Sequence, residues 1–259
     1  MPDRLTIAEL RARTQPPEVR GRRNSEHWTA DLYLRRISPY LTRVLVATSL
    51  TANAVTGLMI VTGAAAGAAL LVPGVVGAVL AVLLGQLQML WDCCDGEVAR
   101  WRGTFSPAGV FLDKVGHYTA ESLIPIALGV RADGGLDSLG GWTTLGAVLA
   151  VLVLFNKALN DSVHVARAAA GLPRLEDRAE SAAPRGAGLR RLRSLARFVP
   201  FHRAFHSVEL TLLALVAAVV DLAVGDLGAT RLLVGVLVPA ALLTVVGHTV
   251  AILASNRLR

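Results

Sequence analysis

Residues 74–117 read GVVGAVLAVLLGQLQMLWDCCDGEVARWRGTFSPAGVFLDKVGH. The first eighteen residues, Gly74 to Trp91, carry no charge and are almost all apolar. About 20 such residues cross a bilayer as a helix. The run then breaks into acid: Asp92 and Asp95, with Glu97 close behind, are followed by Arg100. After a short polar break come Gly109, Asp113 and His117. A membrane-length segment ending in clustered carboxylates decides the fold class and raises the question of what the acids are for.

The rest of the chain repeats the apolar pattern. Of 259 residues, 53% are hydrophobic, which is high for a soluble domain of this size. Six apolar segments stand out, at roughly 51–72, 74–91, 106–130, 141–160, 208–224 and 230–254. Pro73-Gly74, RADGGLDSLGG (131–141) and GDLGA (225–229) mark short connections. The expected fold is all-α, a polytopic membrane protein with six transmembrane helices. Before them, residues 26–46 place Trp28, Leu32, Tyr33 and Ile37 at helical spacing, with Arg35 and Arg36 between. This predicts an amphipathic juxtamembrane helix. Residues 1–25 read as a flexible basic tail, 26–255 as the membrane domain and 256–259 as a C-terminal tail. No internal repeat and no secretory signal pattern is evident. Cys93 and Cys94 are adjacent, fit no metal spacing and read as small packing residues.

Arginine sets the orientation. The net charge is +7, and the only lysines are Lys114 and Lys157. Nine Arg fall in the first 44 residues and nine more in the loop 161–206. The positive-inside rule then puts both termini and that loop in the cytosol. The segment GLRRLRSLARFVPFHRAFH (188–206) reads as a basic surface helix on anionic lipid. The Lys-poor, Arg-rich composition suggests a GC-rich genome, and a bacterial cytoplasmic membrane is the expected location. Nucleic acid is not an expected partner.

At 100° per residue from Asp92, Asp95 falls at about −60°, Gly96 at +40°, Ala99 at −20° and Arg100 at +80°. These residues share one helix face. On the next helix Gly109, Asp113 and His117 also share a face, with Ser106 one turn earlier. Two helices joined by a short loop are antiparallel neighbours, so both polar faces meet at the cytosolic end. Carboxylates gathered there repel one another unless cations intervene. An oxygen-rich cluster suits Mg²⁺ or Mn²⁺, ions that commonly hold substrate phosphates. Arg100 adds a planar fork for phosphate. Gly96 and Gly109 leave room for a ligand or a neighbouring helix.

These residues resemble the CDP-alcohol phosphotransferase family. Its pattern D-x2-D-G-x2-A-R-x8-G-x3-D-x3-D is matched by Asp92, Asp95, Gly96, Ala99, Arg100, Gly109 and Asp113, with every spacing kept. His117 stands where the family has its last Asp. Asn53 and Thr56 resemble the family's element at the start of the first span, with Ala52 in place of the usual Pro. The resemblance extends loosely over residues 26–255. It implies transfer of a substituted phosphoryl group from a CDP-linked donor, CDP-diacylglycerol being expected, to an alcohol or phosphorylated polyol, with release of CMP. It implies two divalent ions on Asp92, Asp95, Asp113 and His117. It implies a donor site lined by Asn53, Thr56, Gly96, Ala99, Arg100, Ser106 and Gly109. A homodimer through transmembrane helices is a further expectation from the family.

His117 leaves three readings open. Histidine titrates near neutrality and can replace aspartate as general base or ligate metal. Alternatively it only ligates metal, and Glu121 or Glu97 is the base; or the site is degenerate. Lys157, Asn160, Asp161 and His164, near the end of the fourth span, are candidate acceptor contacts with Glu121; snorkelling at the interface is the competing reading. His202, Arg203, His206 and Glu209 flank the fifth span, and His248 reads as an interhelical hydrogen-bonding group. Two other functions compete: a Mg²⁺-dependent membrane prenyltransferase, whose acidic pairs differ from this spacing, and a transporter or scaffold, which would place polar groups near mid-membrane.

Overall fold

Thr6 starts the first helix, α1 (Ile7–Thr14). Its hydroxyl accepts from the Glu9 N–H at 3.2 Å, and the Glu9 carboxylate accepts from the Thr6 N–H at 2.9 Å. This reciprocal capping box fixes a helix inside the segment expected as a basic tail. Leu10 is fully buried beneath it. The computed structural model describes residues 5–17, 29–173 and 201–258. The remainder of the expected tail, Glu26–Trp28 and residues 188–200 of the basic surface stretch therefore lie outside the described residues.

A π-helical turn (Ala30–Leu34) leads into α2 (Arg35–Val46). Here the helix is inverted relative to a soluble one: Ile37, Tyr40 and Val44 face outward, while Ser38 and Thr42 are buried. An apolar stripe turned outward is what a helix lying on lipid requires. Among the described residues six long helices follow: α3 (Ala52–Leu70), α4 (Gly74–Arg102), α5 (Pro107–Asp133), α6 (Gly141–Ala169), α7 (Ser207–Val224) and α8 (Gly228–Leu253). Five of them, all but α5, are long and apolar enough to cross a membrane. Asp113, Lys114, His117, Glu121, Arg131 and Asp133 interrupt α5, so this helix falls short of the expected sixth apolar span. No strand occurs among the described residues.

Two helices run past their expected ends. α4 continues through the acidic stretch to Arg102, and α6 continues to Ala169, inside the expected loop. Nothing in NDSVHVARAA breaks a helix until Gly171. Both end in the same way, on a glycine with positive φ, Gly103 at 67° and Gly171 at 67°. The following N–H reaches back five residues into the helix, Thr104 to the Ala99 carbonyl at 3.0 Å and Leu172 to the Arg167 carbonyl at 2.9 Å.

The chain divides into two compact units, one of Met1–Ala66 with Leu83–Ala120, the other of Gly67–Val82 with Glu121–Arg259. In the first, Leu45, Ala52, Val55, Cys94 and Val98 form a buried cluster. Cys93 and Cys94 are buried free thiols, as their adjacency suggested. Arg102 ties α2 to the end of α4 by donating to the carbonyls of Leu45 at 3.2 Å and Thr48 at 2.7 Å, and to that of Leu50.

In the second unit, α8 packs on α6 and α7. α5 and α6 cross at Gly129 and Gly146, where a Cβ on Gly146 would lie 2.6 Å from the Pro125 carbonyl oxygen. Small residues permit such backbone contact where no hydrophobic force drives helices together. His248 Nδ1 lies 2.8 Å from Asn156 Oδ1, the interhelical bond expected of it. Two carboxylates cap the next helix in sequence. Asp221 accepts from the Ala229 N–H at 2.8 Å, and Asp133 from the Gly140 and Thr143 N–H groups at 2.7 Å each.

Asp133 lies in the connection beyond the apolar run of α5. The Thr143 hydroxyl, donating at 2.7 Å, and the backbone N–H groups hold its carboxyl below the usual range. A depressed folded-state pKa stabilises the fold above the unfolded value, about 3.9, and that contribution is lost as pH falls through the folded value. Asp133→Asn should therefore melt below the parent at pH 7, with the gap closing as pH falls below the unfolded value. Thermal unfolding in detergent across that range checks it; a constant gap would count against the ionic cap.

Candidate active site

Every residue of the acidic motif falls in the first compact unit. The Asp92 and Asp95 carboxylates leave α4 one turn apart, and Asp113 and His117 leave α5 one turn apart. The C-terminal glycine turn of α4 leads through a short break to Ser106, whose hydroxyl accepts from the Gly109 N–H at 3.0 Å. Ser106 is thus the N-cap of α5, with Pro107 at the first helical position. Its position follows from capping.

The centre of the site is compact. His117 Nε2 lies 3.2 Å from Asp92 Oδ1 and 3.6 Å from Asp113 Oδ1. One ligand atom from each of Asp92, Asp113 and His117 falls within 4.8 Å of the others. All three side chains are partly exposed, so the cluster opens to a solute. Two carboxylates and an imidazole at this spacing form a donor set that fits a divalent cation. Asp95 is not one of the three grouped ligands. Its Oδ2 accepts from the buried Thr56 hydroxyl at 2.7 Å, which ties α3 to α4 and fixes the orientation of the carboxylate.

The two glycines differ: Gly109 meets a residue of another helix, whereas Gly96 meets a side chain of its own helix. A Cβ on Gly96 would meet the Arg100 Nη1 and Nη2 atoms at 3.1 Å, so the guanidinium lies across Gly96. A Cβ on Gly109 would meet Asn53 Oδ1 at 3.1 Å, so Asn53 reaches α5. Ala99 is partly buried against the Leu45–Val98 cluster. The structure therefore brings Asp92, Asp113 and His117 together, joins Thr56 to Asp95, and sets Asn53 beside Gly109.

Glu97, one of the alternative bases, is fully buried and already engaged. It accepts from Gln15 Nε2 at 2.7 Å, Ser38 Oγ at 2.5 Å and Thr42 Oγ1 at 2.6 Å. A carboxylate held by three donors is a structural anchor. Sequence reasoning missed these partners. The capping box at Thr6 could have revealed α1, and Pro39 inside α2 could have flagged a carbonyl in need of a donor.

The acceptor candidates belong to the second unit. There Lys157 Nζ lies 2.8 Å from Glu121 Oε2, and His206 Nδ1 lies 3.1 Å from Glu121 Oε1. Asn160 accepts from Arg257 at 3.0 Å. Asp161 is half-buried and His164 exposed on the continuing helix. Of the expected acceptor set, the structure joins Lys157 to Glu121.

A family model described as CDP-alcohol phosphatidyltransferase matches residues 49–173. The match spans the motif and the candidate acceptor residues, and it is narrower than the 26–255 expected from the sequence. No individual curated protein matches the chain. The family is one of phosphotransferases acting on CDP-linked donors and alcohols in membranes, and it depends on divalent metal. Residues 49–173, which keep the motif intact but for His117, are thus similar to the CDP-alcohol phosphatidyltransferase family.

Proposed function

We propose that the protein is an integral membrane transferase that moves a substituted phosphoryl group from a CDP-linked donor, CDP-diacylglycerol, to an alcohol, releasing CMP. The observation that carries this reading is the approach of Asp92, Asp113 and His117 within 4.8 Å inside the family motif. In this reading α5 is the sixth span, both termini are cytosolic, and the site opens to the cytosol, where nucleotide-activated headgroups and soluble acceptors meet. The domain runs over residues 26–255 and functions as a homodimer. The arginine distribution supports the orientation.

Asp92, Asp95 and Asp113 would hold two divalent ions, Mg²⁺ or Mn²⁺, and Thr56 keeps Asp95 in place. Such ions would supply positive charge to neutralise the donor diphosphate and the oxygens of an in-line displacement. Arg100 binds the diphosphate, and Asn53, Gly96, Ala99, Ser106 and Gly109 shape the donor site. Lys157, Asn160, Asp161, His164 and Glu121 contact the acceptor. The acceptor oxygen bonds to the phosphorus distal to the cytidine, the bond from that phosphorus to the bridging oxygen breaks, and CMP leaves with the electron pair. The hydroxyl proton goes to His117 Nε2. That nitrogen has a single lone pair, so it either ligates metal or accepts the proton at any moment. Catalysis is otherwise positioning and electrostatics.

The test is CMP release from CDP-diacylglycerol by the purified protein across a panel of polyols and phosphorylated polyols. CMP should appear only with an acceptor and with Mg²⁺ or Mn²⁺ present. Release that persists undiminished in chelator, or no release with any acceptor, would overturn the reading.

A further inference from the structure

Beside the motif, the structure contains a second arrangement that the family segment does not include. The N-terminal helix α1 ends against α4, and its last residues touch α4 in three places. Thr14, completely buried, offers its carbonyl oxygen to Arg100 Nε at 2.5 Å. Arg13 lies over the Trp101 ring, 4.7 Å from its centroid. Gln15, also buried, donates from Nε2 to Glu97 Oε1 at 2.7 Å. The same amide donates to the Arg35 carbonyl at 2.8 Å. That carbonyl sits four residues before Pro39, which has no N–H to satisfy it. Gln15 thus fills a vacancy made by a helix-internal proline while resting on the anchor carboxylate Glu97.

The consequence falls on Arg100. Thr14 is the last residue of α1, where carbonyls lack intrahelical partners and carry partial negative charge. A guanidinium is planar, so fixing Nε on one acceptor fixes the plane of the whole fork. Gly96 leaves the space in which that plane lies. We propose that Gln15 is a positioning residue of the donor site: docked on Glu97, it holds the Thr14 carbonyl against Arg100 Nε and so aims the Arg100 fork at the diphosphate of a cytidine nucleotide. The inference rests on the reading of Arg100 as a diphosphate contact. It assigns to the N-terminal helix, outside the matched family segment, a part in donor affinity.

The experiment uses the full-length protein in lipid–detergent micelles. CDP binding in the presence of Mg²⁺ is measured by equilibrium dialysis, and CMP release is measured against CDP-diacylglycerol concentration. Gln15→Ala should raise the Kd for CDP and the donor KM roughly tenfold, the order of one charge-assisted hydrogen bond, with kcat nearly unchanged. In an Arg100→Lys background, which has no Nε to aim, Gln15→Ala should add nothing further. Arg13→Ala, which loosens α1 without touching Glu97, should shift the Kd in the same direction and decides the matter if Gln15→Ala melts early. An unchanged Kd, additive effects with Arg100→Lys, or a loss confined to kcat would each overturn the inference. Parent protein that binds no CDP would instead bring down the donor-site reading and the inference with it.

Discussion

His117→Ala loses CMP release by at least about 100-fold, the lower end of what a positioned general base contributes. His117→Asp, which restores the residue type of the family pattern, retains measurable transfer. The geometry makes the comparison informative. Nε2 lies 3.2 Å from Asp92 and 3.6 Å from Asp113, the position in which the proposed mechanism uses it as base or as ligand. Metal titration alongside turnover separates these roles. If His117 is the base, the alanine variant binds Mn²⁺ nearly as well as the parent and fails at chemistry. Should metal affinity collapse together with turnover, the imidazole is a ligand and the base assignment falls. Full activity in the alanine variant would remove His117 from the mechanism.

Asp113→Asn loses turnover and metal affinity together, each by more than about 100-fold. The amide keeps the shape and one acceptor oxygen but removes the charge a divalent cation requires. Changing a group that only orients a ligand costs about 10–100-fold in metal affinity, and a ligand itself must cost more. Thr56→Val supplies the contrast. It removes the 2.7 Å bond that orients Asp95 and leaves the Asp92–Asp113–His117 triplet intact, so its loss should fall in that smaller range. Calorimetric Mn²⁺ titration and CMP release, run on both variants, provide the check. If Thr56→Val proves as damaging as Asp113→Asn, the division between ligand and support is wrong.

The acidic motif was readable because its information is local. Helical spacing puts Asp92, Asp95, Gly96, Ala99 and Arg100 on one face, and the same rule aligns Gly109, Asp113 and His117. A short loop between two helices then leaves little choice about where those faces meet. The long apolar helices were readable for a similar reason, because bilayer thickness sets their length. Their ends were less so. α4 and α6 continue until a glycine can adopt positive φ, and a polar helix continues as readily as an apolar one when nothing breaks it. For α5, six ionisable residues dilute the apolar signal, and it falls short of the length of apolar chain that marks the other five.

The sequence by itself determined an all-helical, membrane-length chain with one acidic cluster in a family pattern, since periodicity, segment length and fixed spacing are properties of neighbouring residues. Only the tertiary structure decided which carboxylate does what. Asp92 and Asp113 meet His117, Asp95 is held by Thr56, and Glu97 turns from candidate base to buried anchor for Gln15, Ser38 and Thr42. Gln15 and Glu97 are 82 positions apart. Contacts at that separation arise from how helices pack and from which buried carbonyls and carboxylates need a partner, and no local pattern encodes them.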